Sequence, residues 1–254
     1  MITLLIYFAI GSVGGFFSGF LGIGGGVILL PLMVYLAQIP IKEATSISMW
    51  FVIFSSISGI VAHKKLGNID SKVGLWLGGG SVVGSIIGTR VASISSDRML
   101  EIVFIGVLLA ASVMLLVPSQ ENDTDDSLTL GNQRNKILSL PIGLAQGILT
   151  GILGIGGGFI IVPLMICVLR MKTIKAVGTS LLVIFLSAIV ALISKMMMNE
   201  FAWPGAAWGI ILGGIIFAQL GSRVANQVSS WFIRGTLVVL LLMIAGKMIY
   251  ELIA

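Results

Sequence analysis

Cutting this chain at every charged residue or histidine leaves eight long apolar stretches, at residues 1–41, 44–62, 73–89, 102–120, 137–169, 176–194, 201–222 and 235–246. A run of about 20 apolar residues crosses the ~30 Å hydrocarbon core of a bilayer as a helix. Only 10% of the residues are charged and 57% are hydrophobic, whereas a soluble domain is about 25% charged. A membrane β-barrel would instead show segments of about ten residues alternating apolar and polar, and none is present. Helices satisfy every backbone group within one segment, so the chain reads as an all-α polytopic membrane protein. The start lacks a basic n-region and a small-residue cleavage site, and its apolar run is too long for a signal peptide. It is expected to stay in the mature fold.

The net charge is +5, but the 15 Lys and Arg are spread thinly, with no basic cluster beyond Lys64, Lys65 and Lys72. No nucleic-acid partner is expected; the use of these charges is orientation in the bilayer. The single cysteine, Cys167, sits in an apolar run and reads as a small buried hydrophobe.

The chain repeats itself. Gly15 to Met33 overlays Gly147 to Met165 at an offset of 132, with twelve of nineteen positions identical, Pro-Leu-Met included. Gly-Thr-Arg-Val-Ala at Gly88 to Ala92 recurs as Gly-Ser-Arg-Val-Ala at Gly221 to Ala225, one residue off that register. Residues 1–118 and 137–254 are therefore two transmembrane repeats. Between them lies a polar linker, 119–136, with Glu121, Asp123, Asp125 and Asp126 followed by Arg134 and Lys136. Its acidic cluster lacks the ligand order of a calcium loop, so no metal is expected there.

The first and fifth stretches exceed one crossing: 33 residues from 137 to 169 would make a helix of about 50 Å. Both must break, and Gly24 to Gly26 and Gly156 to Gly158, with Pro31 and Pro163 following, supply the place. Two half-helices flanking each break are expected. If the broken segments cross once, the two sides hold seven and eight basic residues, which shows no bias. If they are re-entrant, one side holds Lys42, Arg90, Arg98, Lys195 and Lys247 and the other the remaining ten. The positive-inside rule prefers the second arrangement. Each half is then one re-entrant segment plus three crossings, and the halves are inverted.

Inverted repeats whose broken helices meet near the midplane are the architecture of secondary transporters, with half-helix N-termini directed at an anion. Gly22, Gly24, Gly25 and Gly26 and their counterparts Gly154, Gly156, Gly157 and Gly158 are candidate substrate-lining positions, against the alternative of close packing. Thr45, Ser46 and Ser48, and Thr179 and Ser180, could donate to an oxyanion or act as ordinary caps. Gln146 stands where the first copy has Gly14, and could meet a polar substrate asymmetrically or bond a neighbouring helix. Arg90 and Arg223 end matching spans and either snorkel to headgroups or recruit an anion. Gly80, Gly84 and Gly88, echoed by Gly209, Gly213 and Gly221, have the spacing of helix packing. His63 and Lys195, also offset by 132, read as interfacial. No Asp or Glu lies in the middle of an apolar run, so any coupled proton would ride on the substrate or a less obvious group. With no base beside a nucleophile and no ligand cluster, neither an enzyme nor a metal or cofactor site is expected.

The duplicated G-x-L-G-I-G-G-G-x-I-x-x-P-L-M, followed in the second copy by Lys175-Ala-Val-Gly-Thr-Ser-Leu, resembles the TauE/SafE family of membrane permeases over essentially the whole chain. The resemblance implies a multi-pass protein of the cell (inner) membrane exporting a small sulfur oxyanion or organosulfonate. Where copy two has Val177-Gly178-Thr179-Ser180, the overlay places Thr45-Ser46-Ile47-Ser48, a departure that bears on whether both halves meet the ligand alike. Backbone dipoles and hydroxyls suit an oxyanion independently of the resemblance. The expected function is a secondary transporter working by alternating access, its partners a small anion and the lipid bilayer, with a homo-oligomer left open. A passive anion channel and a membrane scaffold without flux are the alternatives.

Overall fold

The computed structural model describes residues 2–39, 41–116, 133–198 and 207–253. Ten helices make up nearly all of them: α1 (Ile2–Leu21), α2 (Gly26–Tyr35), α3 (Ile41–Lys65), α4 (Ser71–Ile94), α5 (Asp97–Leu116), α6 (Gln133–Leu153), α7 (Gly158–Cys167), α8 (Thr173–Met197), α9 (Trp208–Ala225) and α10 (Ser230–Ile253). Among the described residues, six helices are long and apolar enough to cross a membrane, and shorter apolar helices accompany them. The chain is a polytopic membrane protein of two five-helix halves, with α1 to α5 matched by α6 to α10.

Two boundaries differ from expectation. The first arms of the broken segments, α1 and α6, are not half-helices but run 20 and 21 residues. Only α2 and α7, at 10 residues and about 15 Å, are half a crossing. Pro31 and Pro163 lie inside these short helices rather than ending them. The second difference concerns the linker. Its residues 119–132 lie outside the described residues, while 133–136 already belong to α6, because a polar first turn can continue a helix beyond the apolar crossing.

Packing fixes the direction of each helix. Along α1 and α9, Gly11 lies against Ile210, Gly15 against Gly214 and Gly19 against Ala218. Along α6 and α4, Gly143 lies against Leu77, Gly147 against Ser81 and Gly151 against Ser85. Both pairs are thus parallel and related by the repeat, and each joins helices from different halves. The reciprocal faces carry Gly213 and Gly221 on α9 and Gly80, Gly84 and Gly88 on α4, set against backbone of α1 and α6. These are the packing glycines expected of small-xxx-small spacing.

At one end of the bundle, His63 Nε2 bonds the carbonyl of Gly19 at 2.9 Å, so α3 finishes beside the finish of α1. At the other end, Lys195 Nζ of α8 reaches Thr45 Oγ1 of α3 at 3.4 Å, so α8 opposes α3. Consequently α1, α3 and α9 run one way, and their repeat counterparts α6, α8 and α4 run the other. The halves are inverted. Since α2 starts beside Gly14 and leads into the start of α3, it returns toward the end where α1 began. The hairpin is re-entrant. The same end then carries Lys42, Arg90, Arg98, Lys195 and Lys247, and the other ten basic residues gather at the opposite, basic end.

His63 corrects the interfacial reading. It is fully buried, its Nε2–H donating to the Gly19 carbonyl while Nδ1 accepts from Asn68 Nδ2 at 3.4 Å. Asn68 donates in turn to Asn226 Oδ1 at 3.0 Å. The physical reason is the glycine break: carbonyls in the last turn of α1 have no following helical N–H, and the ring supplies one. His63→Leu is expected to cost about 1–3 kcal/mol by orphaning that carbonyl, read as a lower melting temperature in detergent. An unchanged melting temperature would remove this capping role.

Candidate functional site: two interlocked helix breaks

The two glycine breaks meet at mid-depth. Positions for a Cβ on Gly24 and on Gly156 both fall on Val52 and Ile184, which sit midway along α3 and α8 and are themselves 132 residues apart. Gly26 abuts the backbone of Ile155, where a Cβ would approach the carbonyl oxygen to 2.6 Å, and Gly158 abuts Ile23 reciprocally at 2.5 Å. Ile23 with Ile155 and Gly26 with Gly158 are again repeat mates, so a pseudo-twofold axis passes between the breaks. Every residue from 20 to 27 and from 153 to 159 is buried. The room gained by omitting a Cβ at Gly26 and Gly158 is filled by the other repeat.

Glycine is required here for conformation as well. Gly22, Gly24 and Gly25 have φ of 70, 74 and 72°, and Gly154, Gly156 and Gly157 have 68, 84 and 58°. This left-handed region costs other residues about 1–2 kcal/mol each. Gly25 and Gly157 are the N-caps of α2 and α7, with no side chain to bond the first turn.

Hydrogen bonding in the breaks is lopsided. Gly22 and Gly154 N–H bond back to the Ser18 and Thr150 carbonyls at 3.0 and 2.9 Å, but residues 23–27 and 155–159 donate no backbone hydrogen bond. The carbonyls fare differently. Ser180 Oγ donates to Gly22 O at 2.7 Å, Ser55 Oγ to Gly24 O at 3.4 Å, and Gln146 Nε2 to Gly156 O at 2.9 Å. Side chains have capped acceptors and left donors bare. Buried N–H groups without acceptors are rare because each carries a desolvation cost. Added to the positive N-terminal dipoles of α2 and α7, they make the meeting point attractive to negative charge.

Side chains around the breaks are unequal between copies. Gln146 is fully buried, with Nε2 also bonded to Thr150 Oγ1 at 2.7 Å and Ser187 Oγ a more distant neighbour at 3.3 Å. At the equivalent place in copy one, Gly14 leaves room that Phe51 and Leu29 fill, at 3.1 and 3.3 Å from where a Cβ would stand. There, Ser18 and Ser55, the mates of Thr150 and Ser187, form a 3.3 Å hydroxyl pair, and Ser55 also reaches the carbonyls of Gly24 and Val52 at 3.4 Å. Among the described residues, three buried side-chain oxygens lack a partner: Ser48 Oγ, Ser56 Oγ and Gln146 Oε1. Ser48 belongs to the turn of α3 whose Thr45 and Met49 line Gly154.

The eight candidate glycines are thus brought together, with Gln146, Ser48 and Ser180 at their edges. Others are elsewhere. Thr179 Oγ1 accepts the Asp70 N–H at 2.9 Å, bracing the residue that caps α4 at the basic end. Thr45 is shared between the site and the far end, its Cβ lining Gly154 while its Oγ1 meets Lys195; Ser46 is buried within α3, and Arg90 and Arg223 are exposed toward opposite ends of the bundle. Sequence reasoning passed over Ser18, Ser55, Thr150 and Ser187. The signal was available, since each hydroxyl finds another at the offset of 132. Among the described residues, no group of three or more His, Cys, Asp or Glu could hold a metal ion.

Comparison with known proteins accords with this architecture. The family profile described as "Sulfite exporter TauE/SafE" matches residues 7–248. The probable membrane transporter protein YunE of Bacillus subtilis is 25% identical over 98% of this chain and 98% of its own length. A second Bacillus subtilis protein, the probable membrane transporter YdhB, is 32% identical over 72% of this chain and 74% of its own. In Methanocaldococcus jannaschii, the probable membrane transporter MJ0441 is 29% identical over 78% of this chain and 74% of its own. No solved structure matches the chain.

Proposed function

This chain belongs to the TauE/SafE family of membrane transporters, and from that premise we propose that it is a secondary transporter of a small anion, sulfite or an organosulfonate, working by alternating access. The observation that carries the reading is the row of buried, acceptor-free N–H groups in each break, at residues 23–27 and 155–159. Such a cradle suits an oxyanion and needs no intramembrane Lys or Arg. The positive-inside rule sets the basic end in the cytoplasm. Inverted halves that interlock at mid-depth supply two mirror-related ways to open, one toward each side. The closed contacts of Gly26 with Ile155 and Gly158 with Ile23 are the occluded state between them.

The test is uptake of radiolabelled sulfite by liposomes containing the purified protein, with sulfate, thiosulfate and an organosulfonate as competitors, with and without an imposed pH gradient. Saturable, gradient-sensitive flux is expected. Flux that rises linearly with concentration would make the protein a channel, and no flux of any of these anions would remove them as cargo.

A further inference from the structure

The carboxamide of Gln146 is held so that its orientation is settled by its neighbours. Gly156 O can only accept, and it lies 2.9 Å from Nε2. Thr150 and Ser187 each commit their hydroxyl proton to backbone, to Gln146 O at 3.1 Å and Ile184 O at 3.0 Å. The two Nε2 protons serve Thr150 Oγ1 at 2.7 Å and Gly156 O at 2.9 Å, with Ser187 Oγ a third, more distant neighbour at 3.3 Å, and neither hydroxyl has a proton left to offer Oε1. Exchanging the amide nitrogen and oxygen would set the Gly156 carbonyl, which has no proton to give, against an oxygen. Oε1 is thus a fixed, buried acceptor with no donor, standing at the break whose residues 155–159 are donors with no acceptor.

A fully deprotonated oxyanion would satisfy those N–H groups but turn a lone pair toward Oε1. One proton on the anion satisfies both. The geometry points to a cargo taken as a monoprotonated oxyanion, hydrogen sulfite in the case of sulfite, with Gln146 reading the proton; the inference rests on the anion-transport reading above. The reading is one-sided, because copy one has Gly14 and Phe51 in that place.

Among the described residues, the charged groups on the helices packed against α6 keep toward the helix ends. Of the helices packed on α6, α4 carries Lys72 and Arg90 toward its ends, α8 carries Lys175 and Lys195 toward its ends, and α5 carries Asp97, Arg98 and Glu101 in its first turns; α7 has only Cys167, its last residue. On α3, Glu43 is exposed in the first turn, and His63 is engaged with Gly19 at the basic end. The proton therefore travels on the cargo, and each cycle moves one proton with one anion.

The test is initial sulfite uptake by the full-length protein in liposomes, at equal pH inside and out and constant total sulfite, across the range where sulfite titrates. The rate is expected to follow the hydrogen sulfite fraction, falling about tenfold per pH unit once the dianion dominates. Sulfate, which carries no proton, should compete at least about tenfold more weakly, and Gln146→Leu should erase both the pH dependence and that preference. A rate that is flat or rises with pH, or equal competition by sulfate, would overturn the inference while leaving anion transport intact. Absence of saturable sulfite flux at every pH would instead overturn the transport reading. The wild-type profile decides even if Gln146→Leu does not fold.

Discussion

Gly157→Val is expected to lower anion flux in liposomes by about a hundredfold or more, equivalent to about 3 kcal/mol, while the protein still inserts in the membrane. Two effects combine. The residue has φ of 58°, which a β-branched side chain resists, and a Cβ would stand 2.6 Å from Thr150 Oγ1 and 2.9 Å from Gln146 Nε2. It would push apart the hydroxyl and amide that cap the break. Gly25→Val should behave alike, since its Cβ would stand 2.8 Å from Phe51 Cε1 and against the Gly14 carbonyl. Gly67 is the matched control: its φ is 71°, but nothing lies within 4 Å. Gly67→Val therefore imposes the backbone strain without the overlap. Equal loss of flux in Gly67→Val and Gly157→Val would dismiss the breaks as the transport site.

Gly147→Leu is expected to be the most destabilising single change. Its Cβ would stand 2.7 Å from Ser81 Cα on α4, whereas carbon atoms pack best at about 3.5–4.0 Å. Backbone on both sides cannot rotate away, so α4 and α6 must separate along their whole shared face. Overpacking costs about 1–3 kcal/mol where side chains can yield, and here they cannot. A large drop in melting temperature, or loss of the monodisperse species in detergent, is the expected readout. Gly15→Leu should match it at the α1–α9 pair, where a Cβ would stand 2.6 Å from Gly214 Cα. Gly246→Leu, with nothing within 4 Å, should be neutral. Equal stability of Gly147→Leu and Gly246→Leu would mean that helix contact does not depend on glycine.

The duplication made much of this legible. Twelve identities over nineteen residues placed both breaks, and the count of basic residues already preferred the inverted, re-entrant arrangement that the contacts between His63 and Gly19 and between Lys195 and Thr45 describe. Gln146 stood out because its counterpart was glycine. What stayed hidden depended on pairing across the chain. A histidine beside two lysines at the end of an apolar run looks interfacial, and only the carbonyl left at the end of α1 explains its burial. Thr179 looked like a ligand because nothing local reveals that the Asp70 N–H lies across from it. Hydropathy could not show that α1 seeks α9 and α6 seeks α4, since apolar surfaces are alike in lipid and shape alone selects the partner.

That exchange of partners between halves bears on how the protein is made. α1 leaves the ribosome well before α9, the helix that fits its glycine face, and seven helices are made between them. At about 5–20 residues per second, the first helix waits on the order of 10–40 s with its narrow face turned to lipid. The half that is finished early can be inserted but cannot close; assembly is a single late event, committed only when α9 arrives.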